Sequence, residues 1–394
     1  MRKILLGALA TATVLTPLAV AVSPGAASAK SGPIKLGALY TLSGPTAAFG
    51  EFNLHTEQAL ITYLNAHGGI DHRNVKLVYY NTGGTPSTAV SDAEKLIADG
   101  VTGIVYAGTS VTAAQAAVVF DKAKIPSVDF NPTDTWATGN KWTYSFTDYN
   151  IVRPQGVAID AYARHLGIRK LGILTDPTPL GKQLASDTKA AAHKEGVTIV
   201  GTQSYAFTAS TMTTQLKTLK AAGAQGVVLP GETGLGQVYT SLRGMGWSPY
   251  VFTEYAGYFV GYTSQGSLAP RIFSACQTNI PEGKTLPKGL DNITKFVVKK
   301  TGIKAVGLVS ALLNENDSLL IFKWAIEHAK STTGTKIRNE VQKIRHVGFT
   351  VRDWTYTFTK KNHDGWPDSH SYMCVMKPLG PFTVPYTAPG ATGT

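Results

Sequence analysis

The fold is decided by residues 34–45, which read IKLGALYTLSGP and join an apolar run to a turn that contains Gly and Pro. The run at residues 34–40 has the length and the apolar character of a buried strand. A long helical stretch follows and leads to the turn at residues 65–70, NAHGGI, and then to a second strand-like run at residues 75–80. This order predicts a βαβ unit in which the loop after the first strand is suited to hold a small ligand.

Length and composition indicate a large globular protein with more than one lobe. The chain has 394 residues, of which 43% are hydrophobic and 16% are charged, and a single ordinary domain rarely reaches this size. The formal charge is +12. The Lys and Arg residues are scattered, with the densest group at residues 295–300, and no zinc-finger, basic-zipper or RNA-binding pattern accompanies them. We therefore expect a basic, solvated surface and no nucleic-acid partner.

Residues 1–29 are expected to be a signal peptide. Arg2 and Lys3 precede an apolar run, and the sequence ASA at residues 27–29 has the small-x-small form that signal peptidases accept. The alternative is a retained membrane anchor, which Pro17 and the threonines within the run disfavour. No cysteine follows the cleavage site, since the first one in the chain is Cys276. We expect export to the periplasm or to the extracellular and cell-wall space, without a lipid anchor.

The chain contains two cysteines, Cys276 and Cys374. An even number of cysteines in an exported protein favours a disulfide over two buried thiols. We therefore expect a structural Cys276–Cys374 bridge, which would stabilise the fold by on the order of 4 kcal/mol for a closed loop of roughly 100 residues.

Beyond the first unit, β-branched runs alternate with helical stretches, which is typical of parallel sheets covered on both faces. A helix is expected at residues 86–99, with Thr85 as its cap and Gly100 at its end. Residues 349–359 alternate like an exposed antiparallel strand. The other expected strands are residues 34–40, 75–80, 101–106, 127–130, 170–174, 197–203, 226–229 and 250–253. The other expected helices are residues 155–166, 181–195, 211–222, 235–245 and 308–329.

These features resemble the solute-binding proteins of bacterial ABC importers, of the type that binds leucine, isoleucine and valine. The resemblance rests on the amino-acid sequences of residues 34–45 and 65–70 and on the order of the strands and the helix around them. It implies a type 1 periplasmic-binding fold, that is, two Rossmann-like α/β lobes with parallel-rich sheets, joined by three crossings. The implied lobes are residues 30–146 with 277–352 (lobe 1) and residues 147–276 with 353–394 (lobe 2).

The resemblance also implies which residues bind the carboxylate of a ligand. The loop at residues 107–113, AGTSVTA, follows a strand and opens a helix, so its hydroxyl and N–H groups converge. It is similar to the Gly-x-Ser-Ser loop of the family, and Ser110 falls on the serine that binds carboxylate, with Thr109 to assist. A looser alignment places Thr133 on a second hydroxyl and Asn131 where the family offers a backbone carbonyl.

Other positions are implied to bind the remainder of the ligand. Glu254 falls on the glutamate that binds the ammonium group, although a solvated loop carboxylate is the alternative. Phe49 lies where the family has an aromatic side chain, and an ordinary core residue is the alternative there. Two positions depart from the family pattern: Leu180 replaces a tyrosine that contacts ligand, and Glu232 stands where an aromatic residue is often found. These departures bear on the identity of the ligand.

Other functional classes have weaker support in the sequence. Residues 108–110 begin like the nucleophile elbow of a secreted hydrolase that would use Ser110, but Thr112 stands where that motif requires glycine. Residues 363–370, HDGWPDSH, contain four metal-ligating side chains and equally describe an exposed turn. We therefore expect no enzymatic activity, no metal and no cofactor.

The function implied by the resemblance is capture of an amino acid or a related amphipathic, amine-bearing solute by hinge closure of the two lobes. Delivery to an ABC permease in the membrane would follow, and we expect a monomer. A ligand-sensing receptor domain of the same fold is the alternative, since one fold serves several functions.

Overall fold

The structure is a computed structural model, and it describes residues 32–129, 143–148, 152–254, 268, 270–276, 292–302, 306–350, 355–366, 372–375 and 386–387. The expected signal peptide, Asn131 and Thr133 lie outside these ranges. Within these ranges, every helix is too short or too polar to cross a membrane.

The first sheet is formed by the first third of the chain. Its strands are β1 (Ile34–Tyr40), β2 (Val75–Asn81), β3 (Gly103–Tyr106), β4 (Ser127–Asp129) and β5 (Ser145–Thr147). Three helices connect successive strands, namely α1 (Ala47–Ala66), α2 (Pro86–Ala98) and α3 (Ser110–Lys122). All strand pairs are parallel, in the order β2-β1-β3-β4-β5. Strand β1 is almost fully buried, as expected for a central strand of a parallel sheet with helices on both faces.

The second sheet has seven strands. They are β6 (Lys170–Thr175), β7 (Thr198–Ser204), β8 (Gly226–Leu229), β9 (Tyr250–Thr253), β10 (Ile272–Cys276), β11 (Tyr372–Val375) and β12 (Tyr386–Thr387). The accompanying helices are α4 (Val152–His165), α5 (Pro179–Glu195), α6 (Thr213–Ala221) and α7 (Leu235–Gly244). The strand order is β12-β11-β10-β9-β8-β6-β7, with β11 and β12 antiparallel. The parallel part, read from β7, repeats the strand order of the first sheet.

The later helices return to the first sheet. They are α8 (Asn292–Thr301), α9 (Val306–Ala329) and α10 (Gly334–Val341). Helix α9 contacts α1, β3 and β4, and its Phe322 ring lies so close to Gly103 that a Cβ atom there would approach it to 2.3 Å. Glycine at position 103 therefore allows the close packing of this late helix on an early strand.

The predicted α/β architecture of two sheets is confirmed, and several bounds match closely. The observed bounds of β1, β8 and β9 are those predicted. Gly100, with a φ of 73°, follows the last turn of α2 as expected, whereas Thr85 is the N-cap residue but makes no side-chain capping hydrogen bond. The predicted lobe bounds stay a prediction.

The prediction of a strand at residues 349–359 is wrong in the part that the structure describes. A single isolated bridge pairs Val347 with Tyr356 there. Tyr356 and Phe358 are fully buried, and Phe358 packs edge-on against Phe146 at 5.7 Å between ring centroids. In the described residues, the alternation at Tyr356 and Phe358 therefore reflects packing of aromatic side chains against β5 of the first sheet.

Backbone pairing brings the two cysteine-bearing strands together. In the antiparallel register of β10 and β11, Ser274 lies opposite Cys374, and Cys276 lies opposite Tyr372. The two cysteines are thus diagonal neighbours across the β10–β11 pair, and the bridge between them stays a prediction.

Candidate ligand-binding site

A cavity lies where the carboxyl ends of the two sheets face each other. Its volume is about 190 Å³, and loops that follow β1, β2 and β3 form one wall while loops that follow β6, β7 and β8 form the other. In open parallel sheets this edge is where ligands bind. A groove of about 680 Å³ lies between α1, β2 and α8, away from the carboxyl ends of β1 and β3. The cavity is lined by Thr41, Ser43, Pro45, Thr46, Gly83, Gly84, Thr109, Val111, Thr178, Phe207, Glu232 and Thr233.

The loop between β3 and α3 presents the N-terminus of the helix to this cavity. Gly108 has a φ of 108°, and a Cβ atom there would approach the Thr112 hydroxyl oxygen to 2.2 Å, so only glycine fits the turn. Thr109 is the N-cap residue, lines the cavity and makes no side-chain capping bond. Ser110 is the first residue of the helix. The helix dipole and the N–H groups of its first residues make this end of α3 favourable for negative charge.

The carboxylate of Glu232, from the opposite wall, lies on this helix N-terminus. The backbone N–H of Ser110 donates to Glu232 Oε1 at 3.0 Å. The N–H of Leu180 points at Ser110 Oγ at 3.4 Å. Burial, reinforced by the negative charge of Asp176, raises the pKa of Glu232 to about 7, whereas the hydrogen bonds from Ser110 act to lower it. The protein thus supplies the carboxylate that Ser110 was predicted to bind in a ligand.

Asp176 fixes the loop that carries Glu232. Asp176 Oδ2 accepts hydrogen bonds from Glu232 N at 2.9 Å, Thr233 N at 3.1 Å and Thr233 Oγ1 at 3.0 Å. The N–H and hydroxyl of Thr178 donate to Oδ1. Gly231 has a φ of 147°, and a Cβ atom there would lie 2.5 Å from Asp176 Cγ. Burial raises the pKa of Asp176, and the hydrogen bonds from Thr178 and Thr233 counteract that rise.

Glu254 lies close to this loop but does not line the cavity as the described residues form it. It follows β9 directly and is fully buried, and its backbone carbonyl accepts a hydrogen bond from the Ser274 hydroxyl at 2.8 Å. Burial, followed by the charge of Glu254, raises the pKa of Tyr239. Burial also raises the pKa of Tyr205, with contributions from the charges of Asp176 and Glu254. The second lobe therefore gathers three carboxylates at one edge.

The other predicted site residues lie in different surroundings. Phe49 is half-buried and packs edge-on against Tyr106 at 6.3 Å between ring centroids. The side chain of Leu180 is fully buried in the main hydrophobic core. His363, from the HDGWPDSH stretch, is buried and stacks on Phe146 at 4.0 Å between ring centroids. The structure thus brings Thr109, Ser110 and Glu232 together, places Leu180 in the core and packs Phe49 against it.

Sequence reasoning missed two groups of residues at this site. Asp176 and Thr233 hold the loop that carries Glu232 in place. The signal that could have revealed them is the position of Asp176 directly after a strand and the two glycines that flank Glu232 and Thr233. Phe207 lines the cavity although 49% of its surface is exposed. A large exposed aromatic residue after β7 gave no periodic signal in the sequence.

The sequence matches the family described as "Periplasmic binding protein" over residues 33–372. The chain belongs to this family. Periplasmic binding proteins are not enzymes, so the prediction of no enzymatic activity is confirmed and the hydrolase alternative is rejected. The recognition of the solute-binding family in the sequence is confirmed as well.

Individual relatives are similar over most of their length. The Leu/Ile/Val-binding protein homolog 3 of Brucella melitensis biotype 1 is 28% identical over 363 residues, which are 88% of this chain and 92% of that protein. Among solved structures, LivJ of Streptococcus pneumoniae in complex with isoleucine has a TM-score of 0.75 at 20% identity, covering 88% of this chain and 97% of LivJ. A fatty acid ABC transporter substrate-binding protein from Thermomonospora curvata has a TM-score of 0.76 at 17% identity, with coverages of 92% and 94%. The structural similarity shows a shared fold.

Proposed function

We propose that this periplasmic binding protein serves an ABC importer and captures an amino acid or a related small amphipathic solute in the cavity between the facing sheet edges. The observation that carries the proposal is a cavity whose walls come from both lobes and combine a helix N-terminus with carboxylates. Its volume of about 190 Å³ corresponds to about six water molecules at roughly 30 Å³ each, which suits a small solute.

The cavity wall supports an amphipathic solute. Hydroxyl groups of Thr41, Ser43 and Thr109 lie beside the apolar side chains of Val111 and Phe207. The names of similar proteins point to more than one solute, because one relative is a Leu/Ile/Val-binding homologue and one structural neighbour belongs to a fatty acid transporter. The fold alone therefore does not choose the solute, and the polar groups of the wall must do so.

The proposed mechanism is hinge closure. The hydrogen bond from Ser110 in the first lobe to Glu232 in the second is a contact that exists only while the lobes are close. A solute that bridges the same two walls would shift the population toward the closed form, and the closed form would dock on the permease. A ligand-sensing receptor would use the same closure and differ only in its partner.

Export completes the proposal. Residues 1–29 would be removed as a signal peptide, so that the mature chain begins at Lys30. Intact mass measurement of the secreted protein tests this, and a mass that includes the first 29 residues would contradict it.

The proposed function is tested by a thermal-shift screen of residues 30–394, unfolded and refolded first to remove bound solute. The panel contains amino acids, carboxylates, amides and amines. A solute at 100 times its dissociation constant stabilises by about 2.7 kcal/mol, and we expect at least one class to raise the melting temperature. Absence of any shift across the panel would contradict capture of a small amphipathic solute.

A matched pair of variants tests whether the shift arises in this cavity. Val111 lines the cavity, whereas Val118 lies on the same helix with 52% of its surface exposed. Val111→Trp should fill the cavity and abolish the shift, while Val118→Trp should leave it unchanged. An equal shift in both variants would place the solute elsewhere.

A further inference from the structure

We propose that Glu232 occupies the carboxylate subsite of the cavity with the protein's own carboxylate, so that the solute is an amphipathic amine without a carboxylate of its own. This inference rests on the proposed function, because it specifies the solute class of the same cavity. It assigns to Glu232 the role of a specificity-determining residue.

The first argument is occupancy of the anion-binding groups. The N–H of Ser110 donates to the Glu232 carboxylate, and the Leu180 N–H donates to the Ser110 hydroxyl oxygen. The Ser110 N–H is the donor at this helix N-terminus that a solute carboxylate would also need. A second carboxylate placed beside Glu232 would meet a like charge and would find this donor already used.

The second argument is that Glu232 is held in this position by its backbone. Asp176 accepts hydrogen bonds from the N–H groups of Glu232 and Thr233, and the left-handed backbone at Gly231 fits closely over the Asp176 carboxylate. The start of the Glu232 side chain is therefore fixed opposite the N-terminus of α3. The hydrogen bond between Ser110 and Glu232 therefore follows from the backbone conformation of the β8–α7 loop.

The third argument is the balance of charge. The described residues that line the cavity include the carboxylate of Glu232 and no Lys, Arg or His. Asp176 and Glu254 add buried carboxyl groups close to the same wall. The pKa of Glu232 is raised to about 7 by burial and by Asp176, which means that its negative charge is incompletely compensated within the protein. An ammonium group in the cavity would compensate this charge, whereas a solute carboxylate would add a further uncompensated negative charge.

The rest of the wall defines the other end of the solute. Pro45, Val111 and Phe207 offer apolar contact, and Thr41 and Ser43 offer hydroxyl groups. A primary amine with a branched aliphatic or aromatic tail satisfies both ends. The expected solute class is therefore an alkylamine or arylalkylamine rather than an amino acid.

The experiment compares probes that share a tail and differ in the carboxylate. The pairs are 3-methylbutylamine with leucine and 2-phenylethylamine with phenylalanine, and 4-methylpentanoate serves as the probe that has a carboxylate and no amine. Binding to the refolded mature protein is measured by calorimetry at pH 8, where Glu232 is ionised. We expect each amine to bind about tenfold or more tightly than its amino acid, and 4-methylpentanoate not to bind.

Glu232→Gln provides the decisive variant, because it keeps the shape of the side chain and removes its charge. It should weaken the binding of the amines by about tenfold or more, and it should reduce the difference in affinity between each amine and its amino acid. Glu51→Gln, an exposed glutamate on α1, is the matched control and should change neither affinity. Unchanged melting temperatures without solute would show that both variants fold.

The outcomes separate this inference from the proposed function. Tighter binding of the amines, lost in Glu232→Gln, supports the inference. Tighter binding of leucine or phenylalanine would mean that a solute carboxylate displaces Glu232, which overturns the inference and leaves the proposed function intact. If no probe binds and no compound in the thermal-shift screen raises the melting temperature, both this inference and the proposed function are overturned.

Discussion

The two facing edges of the cavity have the same architecture and opposite chemistry. Both follow parallel strands with the same order, yet the first lobe presents N–H and hydroxyl groups at Thr109 and Ser110, and the second presents the carboxylate of Glu232, with Asp176 and Glu254 buried behind it. The difference shows that strand order places loops at the edge of a sheet, while the few residues after each strand decide which charge the edge accepts. In this structure the cavity lies between a donor edge and an acceptor edge.

The largest expected effect comes from replacing Asp176, whose carboxylate accepts the hydrogen bonds that hold the loop of Glu232. Asp176→Ala would leave the backbone N–H groups of Thr178, Glu232 and Thr233 without their acceptor. Each buried unsatisfied donor costs about 1–3 kcal/mol, so we expect the free energy of unfolding to fall by about 4 kcal/mol. Urea denaturation measures this. The control Glu94→Ala, at an exposed position on α2, should stay within about 0.5 kcal/mol, and a loss of under 1 kcal/mol in Asp176→Ala would contradict the role of the network.

A second prediction concerns Glu57, a carboxyl group in the interior of the first lobe, in contrast to the carboxyl groups beside the cavity. Glu57 is fully buried, accepts a hydrogen bond from Tyr40, and has its pKa raised by burial to about 8. The folded protein keeps this proton until about pH 8, whereas the unfolded chain loses it near 4.5. The folded state therefore binds more protons in this window, and its free energy of unfolding falls as the pH rises from about 5 to 9.

Glu57→Gln should remove this part of the pH dependence. With about 1.4 kcal/mol for each pKa unit, the variant should gain on the order of 3 kcal/mol relative to the native chain between pH 5 and pH 9. Denaturation curves at both pH values measure the gain. Glu51→Gln is the exposed control, and equal pH slopes in all three proteins would contradict a buried neutral Glu57.

A third prediction tests the geometry of the donor edge. Gly108→Ala would force a φ of 108° on alanine and bring its Cβ atom against the Thr112 hydroxyl, whereas Gly68→Ala would force a similar φ of 94° with no atom within 4 Å. We expect Gly68→Ala to cost about 1 kcal/mol and Gly108→Ala to cost about 2 kcal/mol or more. Thermal unfolding of the two variants measures the contribution of the collision. Equal losses would show that the loop moves to accommodate the added carbon.

The smallest expected effect is at the contact between the edges. Ser110→Ala removes the hydroxyl oxygen that accepts the Leu180 N–H and keeps the backbone N–H that binds Glu232. We expect a loss of about 1 kcal/mol in stability, which is the typical net value of one such hydrogen bond. Ser186→Ala, at an exposed position on α5, is the control. An unchanged melting temperature in both variants would indicate that the hydroxyl does not contribute to the contact.

The fold could be predicted in large part because buried parallel strands leave short, continuous apolar runs in the sequence. The bounds of β1, β8 and β9 were predicted from such runs. The segment around Tyr356 and Phe358 misled the same reasoning, because aromatic side chains that pack from an irregular segment also alternate.

The site could be predicted only in part. Thr109, Ser110 and Glu232 were implied by the resemblance to the family, and the structure places all three at the cavity. The contact of Ser110 with Glu232 joins residues 122 positions apart, and the hydrogen bonds from Glu232 and Thr233 to Asp176 join loops more than 50 positions apart. Such contacts depend on how loops from different strands meet, and no local pattern encodes them. Leu180 shows the converse, since a position read as ligand contact carries a core side chain.

The packing of Phe322 against Gly103 has a consequence for the order of folding. Helix α9 covers strands that precede it by about 200 residues, between Tyr106 and Val306, so the first lobe cannot complete its core until most of the chain has been synthesised. Contacts of such long range require the closure of a large loop and slow the folding reaction. The core of the first sheet is therefore completed by one of the last helices to be synthesised, and folding of the early strands depends on the arrival of α9.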